Sequence, residues 1–121
     1  MKTELTQQQI EQYRKDGVLY YPGFLDQAEV DELKAAVLEA AESMGKRKVA
    51  GEGSDMVEGD GYYDRVFTQR LNLWKINDTI KRYMLNPELG RMIYQLENQK
   101  AFRVWHDQTL IKEPFGNPTA W

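Results

Sequence analysis

The chain has 121 residues, 41% of them hydrophobic and 29% charged, which suits one domain with a core and argues against a disordered tail. Its formal net charge is −3 with no long basic run, so the electrostatic footprint of a nucleic-acid binder is missing, and its short apolar runs and polar start lead to the expectation of a cytoplasmic protein without membrane attachment. There is no cysteine and a single histidine, His106, which excludes disulfides, thiolate zinc sites and cysteine nucleophiles, and leaves the chain unable to build alone a His-rich zinc site or the two-His, one-carboxylate iron triad.

Thr6 and Gln9 have the spacing of a capping box, with Leu5 and Ile10 placed as a hydrophobic staple. They predict a short helix from about Gln7 to Asp16, stopped by Gly17 in the left-handed conformation. Residues 18–21 are β-branched and aromatic and run into Pro22-Gly23, predicting a short strand closed by a turn. The same pattern repeats with Asp26 and Glu29 as box and Leu25 and Val30 as staple. The helix they open carries Val30, Leu33, Val37, Leu38, Ala41 and Met44 in one apolar stripe and ends at Gly45.

Residues 45–61 hold five of the nine glycines, many charges and no periodicity, and read as a long mobile surface loop. Asp55, Glu58 and Asp60 lack the calcium-loop spacing, and Lys46-Arg47-Lys48 is too short for a nucleic-acid patch. Residues 62–74 are rich in aromatic and β-branched side chains and predict one or two strands. Two helices follow, at about 78–84 and 87–97, the second with Asn86 as N-cap, Pro87 in its first position and Leu89, Met92, Ile93 and Leu96 on its buried side. Helices and strands together make this an α+β chain.

Residues 102–112 alternate as a strand does, with Arg103, Trp105, Asp107, Thr109 and Ile111 on one face and Val104, His106, Gln108, Leu110 and Lys112 on the other. If the Trp105 face packs on helices, the Gln108 face borders a ligand cavity where a few polar groups stand among apolar walls; otherwise His106 and Lys112 edge an exposed sheet with Gln108 solvated. Adjacent strand residues point apart, so His106 and Asp107 do not make a metal pair.

Several segments in order carry a resemblance: the opening LTQQQIEQYRKDGVLYYPGFLDQAEVDEL, then RLNLW, NPELGRMIYQL and WHDQTLIKEPFGNPTAW. This series resembles the phytanoyl-CoA dioxygenase family of iron(II)- and 2-oxoglutarate-dependent oxygenases and covers most of the chain. The resemblance implies that residues 1–121 are the N-terminal part of a larger dioxygenase domain, comprising the N-terminal helices and first strands of a double-stranded β-helix, the cupin-like jelly roll. It implies hydroxylation of a small organic substrate with release of succinate and CO2, using Fe(II) and 2-oxoglutarate. Gln108 matches a position bordering 2-oxoglutarate, and Arg70 a basic position able to approach its carboxylate, unless Arg70 is simply an exposed strand cation. His106 and Lys112 fall on the implied substrate side, and Trp121 corresponds to the residue before the family's His-x-Asp iron motif.

That motif, the distal His and the later Arg are not in this sequence. The resemblance therefore implies a chain that is inactive alone and needs its C-terminal half, or another chain, to complete the fold and supply iron ligands. The alternatives are a non-catalytic α+β module that binds a small molecule without metal, and a degenerate relative completed by another chain.

Overall fold

A computed structural model describes residues 1–112, 114–116 and 118–119. The elements are α1 (Gln7–Asp16), α2 (Gln27–Ser43), α3 (Tyr62–Val66), β1 (Thr68–Leu71), a 3-10 turn (Leu73–Lys75), α4 (Asp78–Met84), α5 (Pro87–Glu97) and β2 (Gln108–Ile111). Helices thus stand beside one small antiparallel sheet, an α+β arrangement.

The helices start and stop where local chemistry dictates. The Gln9 amide donates to Thr6 Oγ1 at 3.3 Å while Gln9 Oε1 accepts from the Thr6 amide at 2.9 Å, and Gly17 closes α1 at φ 72°. Asp26 and Glu29 repeat the box on α2, at 2.8 and 3.0 Å. Asn77 and Asn86 cap α4 and α5 by accepting from Ile80 and Glu88, and Asn98 ends α5 in the left-handed conformation that asparagine tolerates.

The core lies where α2 crosses the 3-10 turn and α4. It is built from Ala36 and Ala40 of α2 and its C-cap Met44 with Ala50, Leu73 and Ile80, and Leu33, Val37, Trp74 and Met84 pack around it. The alanines form a ridge at helical spacing, and small side chains let Leu73 and Ile80 come in close enough to be 1% and 2% exposed. The predicted α2 stripe is therefore split. Ala41 and Met44 are buried, whereas Val30 and Leu38 stand 40% and 48% exposed, outside the core.

Three strand predictions need correction. Residues 18–21 form no strand, and Val18 and Tyr20 project into solvent. Residues 62–74 open as the helix α3, its Arg65 and Phe67 amides bonded to the Gly61 and Tyr63 carbonyls. Only four of them pair as β1 before Asn72, at φ 61°, turns the chain into the 3-10 turn. The predicted 102–112 strand is paired only over Gln108–Ile111, because β1 offers just four partners. A β-propensity run becomes a strand only where another strand lies beside it.

The 45–61 segment lies along the outer side of β1. Arg47 and Val57 form an antiparallel bridge, and Val49 forms a parallel bridge to Leu71. The Leu71 amide donates to the Lys48 carbonyl at 2.7 Å and the Ala50 amide to the Leu71 carbonyl at 2.8 Å, so backbone groups that would edge the sheet are paired. No described strand lies on the other side of β2.

Candidate functional site

The register of the sheet decides which predicted residues meet. Thr68 faces Ile111, Gln69 faces Leu110, Arg70 faces Thr109 and Leu71 faces Gln108. Cross-strand partners share a face and successive residues alternate. Arg70, Thr109 and Ile111 therefore point toward α2, while Gln69, Gln108 and Leu110 point away from it.

On the face away from α2, Tyr63, Phe67, Gln69, Gln108 and Leu110 line a concavity of about 350 Å³, within the size range of small-molecule sites. Phe67 and Tyr63 reach it because α3 ends at Val66 and Phe67 already has extended geometry, in alternation with Gln69. Gln69 is a diagonal cross-strand neighbour of Gln108. Among the described residues neither side-chain amide has a hydrogen-bond partner; the bond at Gln69 is to its backbone carbonyl. The site holds two carboxamides, a phenol, an aromatic ring and a leucine, with no charged side chain in its lining.

Arg70 does not join Gln108. It is 4% exposed, donates to Glu58 Oε1 at 2.6 Å and to the Gln69 carbonyl at 2.8 Å, and also bonds the Gly45 carbonyl. Its Nε is buried without a partner. A guanidinium so far from water requires a counter-charge, and the 45–61 segment supplies it. Lys48 and Asp64 make a second ion pair beside it. The Lys48 ammonium and then the Gly59 amide hold the Asp64 carboxyl below its ordinary range.

His106 and Lys112 are exposed on the alternation side of Gln108, but the concavity is not lined by either, and Lys112 Nζ reaches Thr119 Oγ1 at 3.4 Å. Trp121 lies outside the described residues. Trp105, on the face expected to pack against helices, is 86% exposed, whereas Ile111 of that face does meet α2 in a groove with Leu25, Val30, Leu33, Val37 and Leu38. Asp107 has a role that sequence reasoning missed. Its Oδ2 accepts from the Trp74 amide at 3.2 Å and its carbonyl from the Asn72 amide at 3.0 Å, so it caps the 3-10 turn from across the chain. Burial pushes its carboxyl above the ordinary range, against the opposing Trp74 amide. Gln69 was missed as well, although its two-residue spacing from Phe67 is the signal for a shared strand face.

Neither cofactor implied by the resemblance fits the described residues alone. No group of three His, Cys, Asp or Glu side chains comes together among them to hold a metal ion, and His106 is the sole imidazole in the sequence. A dicarboxylate such as 2-oxoglutarate calls for a cation, and the nearest strand guanidinium, Arg70, is on the far face and engaged with Glu58. No helix among the described residues is long and apolar enough to cross a membrane. Compared with family models, curated proteins and solved structures, the chain matches none.

Proposed function

We propose that this chain forms the N-terminal part of an iron(II)- and 2-oxoglutarate-dependent dioxygenase domain of the phytanoyl-CoA dioxygenase type, which consumes O2 and 2-oxoglutarate to hydroxylate a small organic substrate with release of succinate and CO2. One observation carries the reading: the motif segments RLNLW and WHDQTLIKEPFGNPTAW, distant in sequence, meet in the sheet, where Arg70 and Leu71 of β1 pair with Thr109 and Gln108 of β2, with α2 on one face and the Gln108 concavity on the other. In a jelly roll the face turned away from the helices is the ligand side. The open edge of β2 and the apolar groove of α2 beside Ile111 support a fold continued by further strands, from a C-terminal half or from another chain. The iron ligands belong to that remainder, because the described residues do not provide them.

The test joins intact mass to turnover. The product of the native gene is expected to be substantially heavier than this chain, or to purify with a second chain, and to release succinate only when both Fe(II) and 2-oxoglutarate are present. The 121-residue chain alone is expected to release none. A native product of this chain alone, without partner or turnover, overturns the proposal. The uncharged lining of the concavity favours, as the alternative, a metal-free module that binds a small molecule.

A further inference from the structure

The geometry points to an uncharged planar ligand with an amide-type edge as the occupant of the concavity between α3 and the sheet. The inference rests on taking this sheet face as the ligand side, and it is independent of iron chemistry. Its lining is Tyr63, Phe67, Gln69, Gln108 and Leu110. Each carboxamide offers two N–H donors and one carbonyl acceptor, so Gln69 and Gln108 together can answer a group that both donates and accepts. Their diagonal placement on adjacent strands puts both on one sheet face, in the lining of the same concavity. The rings of Tyr63 and Phe67 and the side chain of Leu110 supply apolar walls for a flat ring.

Charge makes the discrimination. A carboxylate is received best by a cation or by charge-assisted donors, and the lining holds no cation while Arg70 faces the other way in its ion pair with Glu58. An aromatic carboxamide can both donate to and accept from the two glutamine amides, whereas the corresponding carboxylate offers only acceptors. In the dioxygenase reading this face receives the substrate's neutral amide-bearing portion, which departs from the resemblance in giving Gln108 to the substrate rather than to 2-oxoglutarate.

Benzamide is the probe. The full chain, labelled with nitrogen-15, is titrated with benzamide, benzoate and 2-oxoglutarate in parallel while the side-chain amide resonances of Gln69 and Gln108 are followed. Benzamide is expected to shift both in a saturable way, with benzoate and 2-oxoglutarate at least tenfold weaker. Gln69→Leu and Gln108→Leu sit at half-buried and exposed positions, and each is expected to keep the dispersed spectrum of the folded chain while weakening benzamide about fivefold, the loss of one neutral hydrogen bond. Absence of saturable shifts, equal binding of benzoate, or unchanged affinity in both leucine variants overturns the inference. The titration needs no iron and no turnover, so a missing succinate signal leaves it standing, and a failed titration leaves the dioxygenase assay to be judged on its own.

Discussion

Arg70 and Glu58 show how one buried charge shapes its neighbourhood. Because the guanidinium side chain is 5% exposed and the carboxylate 23%, removing each partner has a different consequence: Glu58→Ala strands a buried cation, whereas Arg70→Met leaves a carboxylate that water can reach. Glu58→Ala is expected to cost about 3 kcal/mol and Arg70→Met about 1 kcal/mol in urea unfolding at neutral pH. The double variant is expected to lie nearer the wild type than Glu58→Ala, and a larger loss for Arg70→Met than for Glu58→Ala would refute the assignment. Asp64 gives a pH signature. Its folded pKa is lowered by Lys48 and the Gly59 amide, so its contribution is present above the unfolded carboxyl value of about 3.9 and is lost as pH falls through the lower folded value. The melting-temperature gap between wild type and Asp64→Asn is therefore expected to narrow between neutral and strongly acidic pH. The raised Asp107 carboxyl acts in the opposite sense, stabilising most when protonated and less as pH rises through its folded value.

At the scale of elements, the capped helices α1, α2, α4 and α5 were legible, whereas α3 and the strand limits were not. A capping box needs only residues three apart, so Thr6 with Gln9 and Asp26 with Glu29 carry their instruction locally, and both boxes form with the predicted bonds. Asp26→Ala is accordingly expected to cost about 1 kcal/mol, measured by chemical denaturation, with the α2 amides nearest Asp26 losing hydrogen-exchange protection first. Strand limits depend on a partner remote in sequence. The run from Tyr62 to Trp74 has β-forming residues throughout, yet only Thr68–Leu71 meets β2, and the residues before it close a helical turn on Gly61 instead. Asn72 was the one local sign of the break, since asparagine takes φ above zero at little cost. The alternation of β2 held where it was paired, with Thr109 and Ile111 partly covered and Gln108 and Leu110 open, and told nothing of Trp105, which precedes the pairing.

For the whole molecule the decisive contact is α2 against the 3-10 turn and α4. Ile80, 2% exposed, sits among Ala36, Ala40, Met44 and Leu73, and Ile80→Ala is expected to cost about 3 kcal/mol, read as a lower denaturation midpoint with the slope unchanged. The sequence by itself determined the starts of α1, α2, α4 and α5, the alternation of Gln108–Ile111 and the limits set by one histidine and no cysteine, because these follow from bonds within one turn, from the two-residue period of a strand or from the residue inventory. Only the tertiary structure decided that the alanine ridge of α2, rather than Val30 and Leu38, meets the core, that Glu58 claims Arg70, and that Gln69 rather than Arg70 stands with Gln108. Those outcomes depend on which segments approach one another and in what register, and a one-residue change in register exchanges the two faces of a sheet.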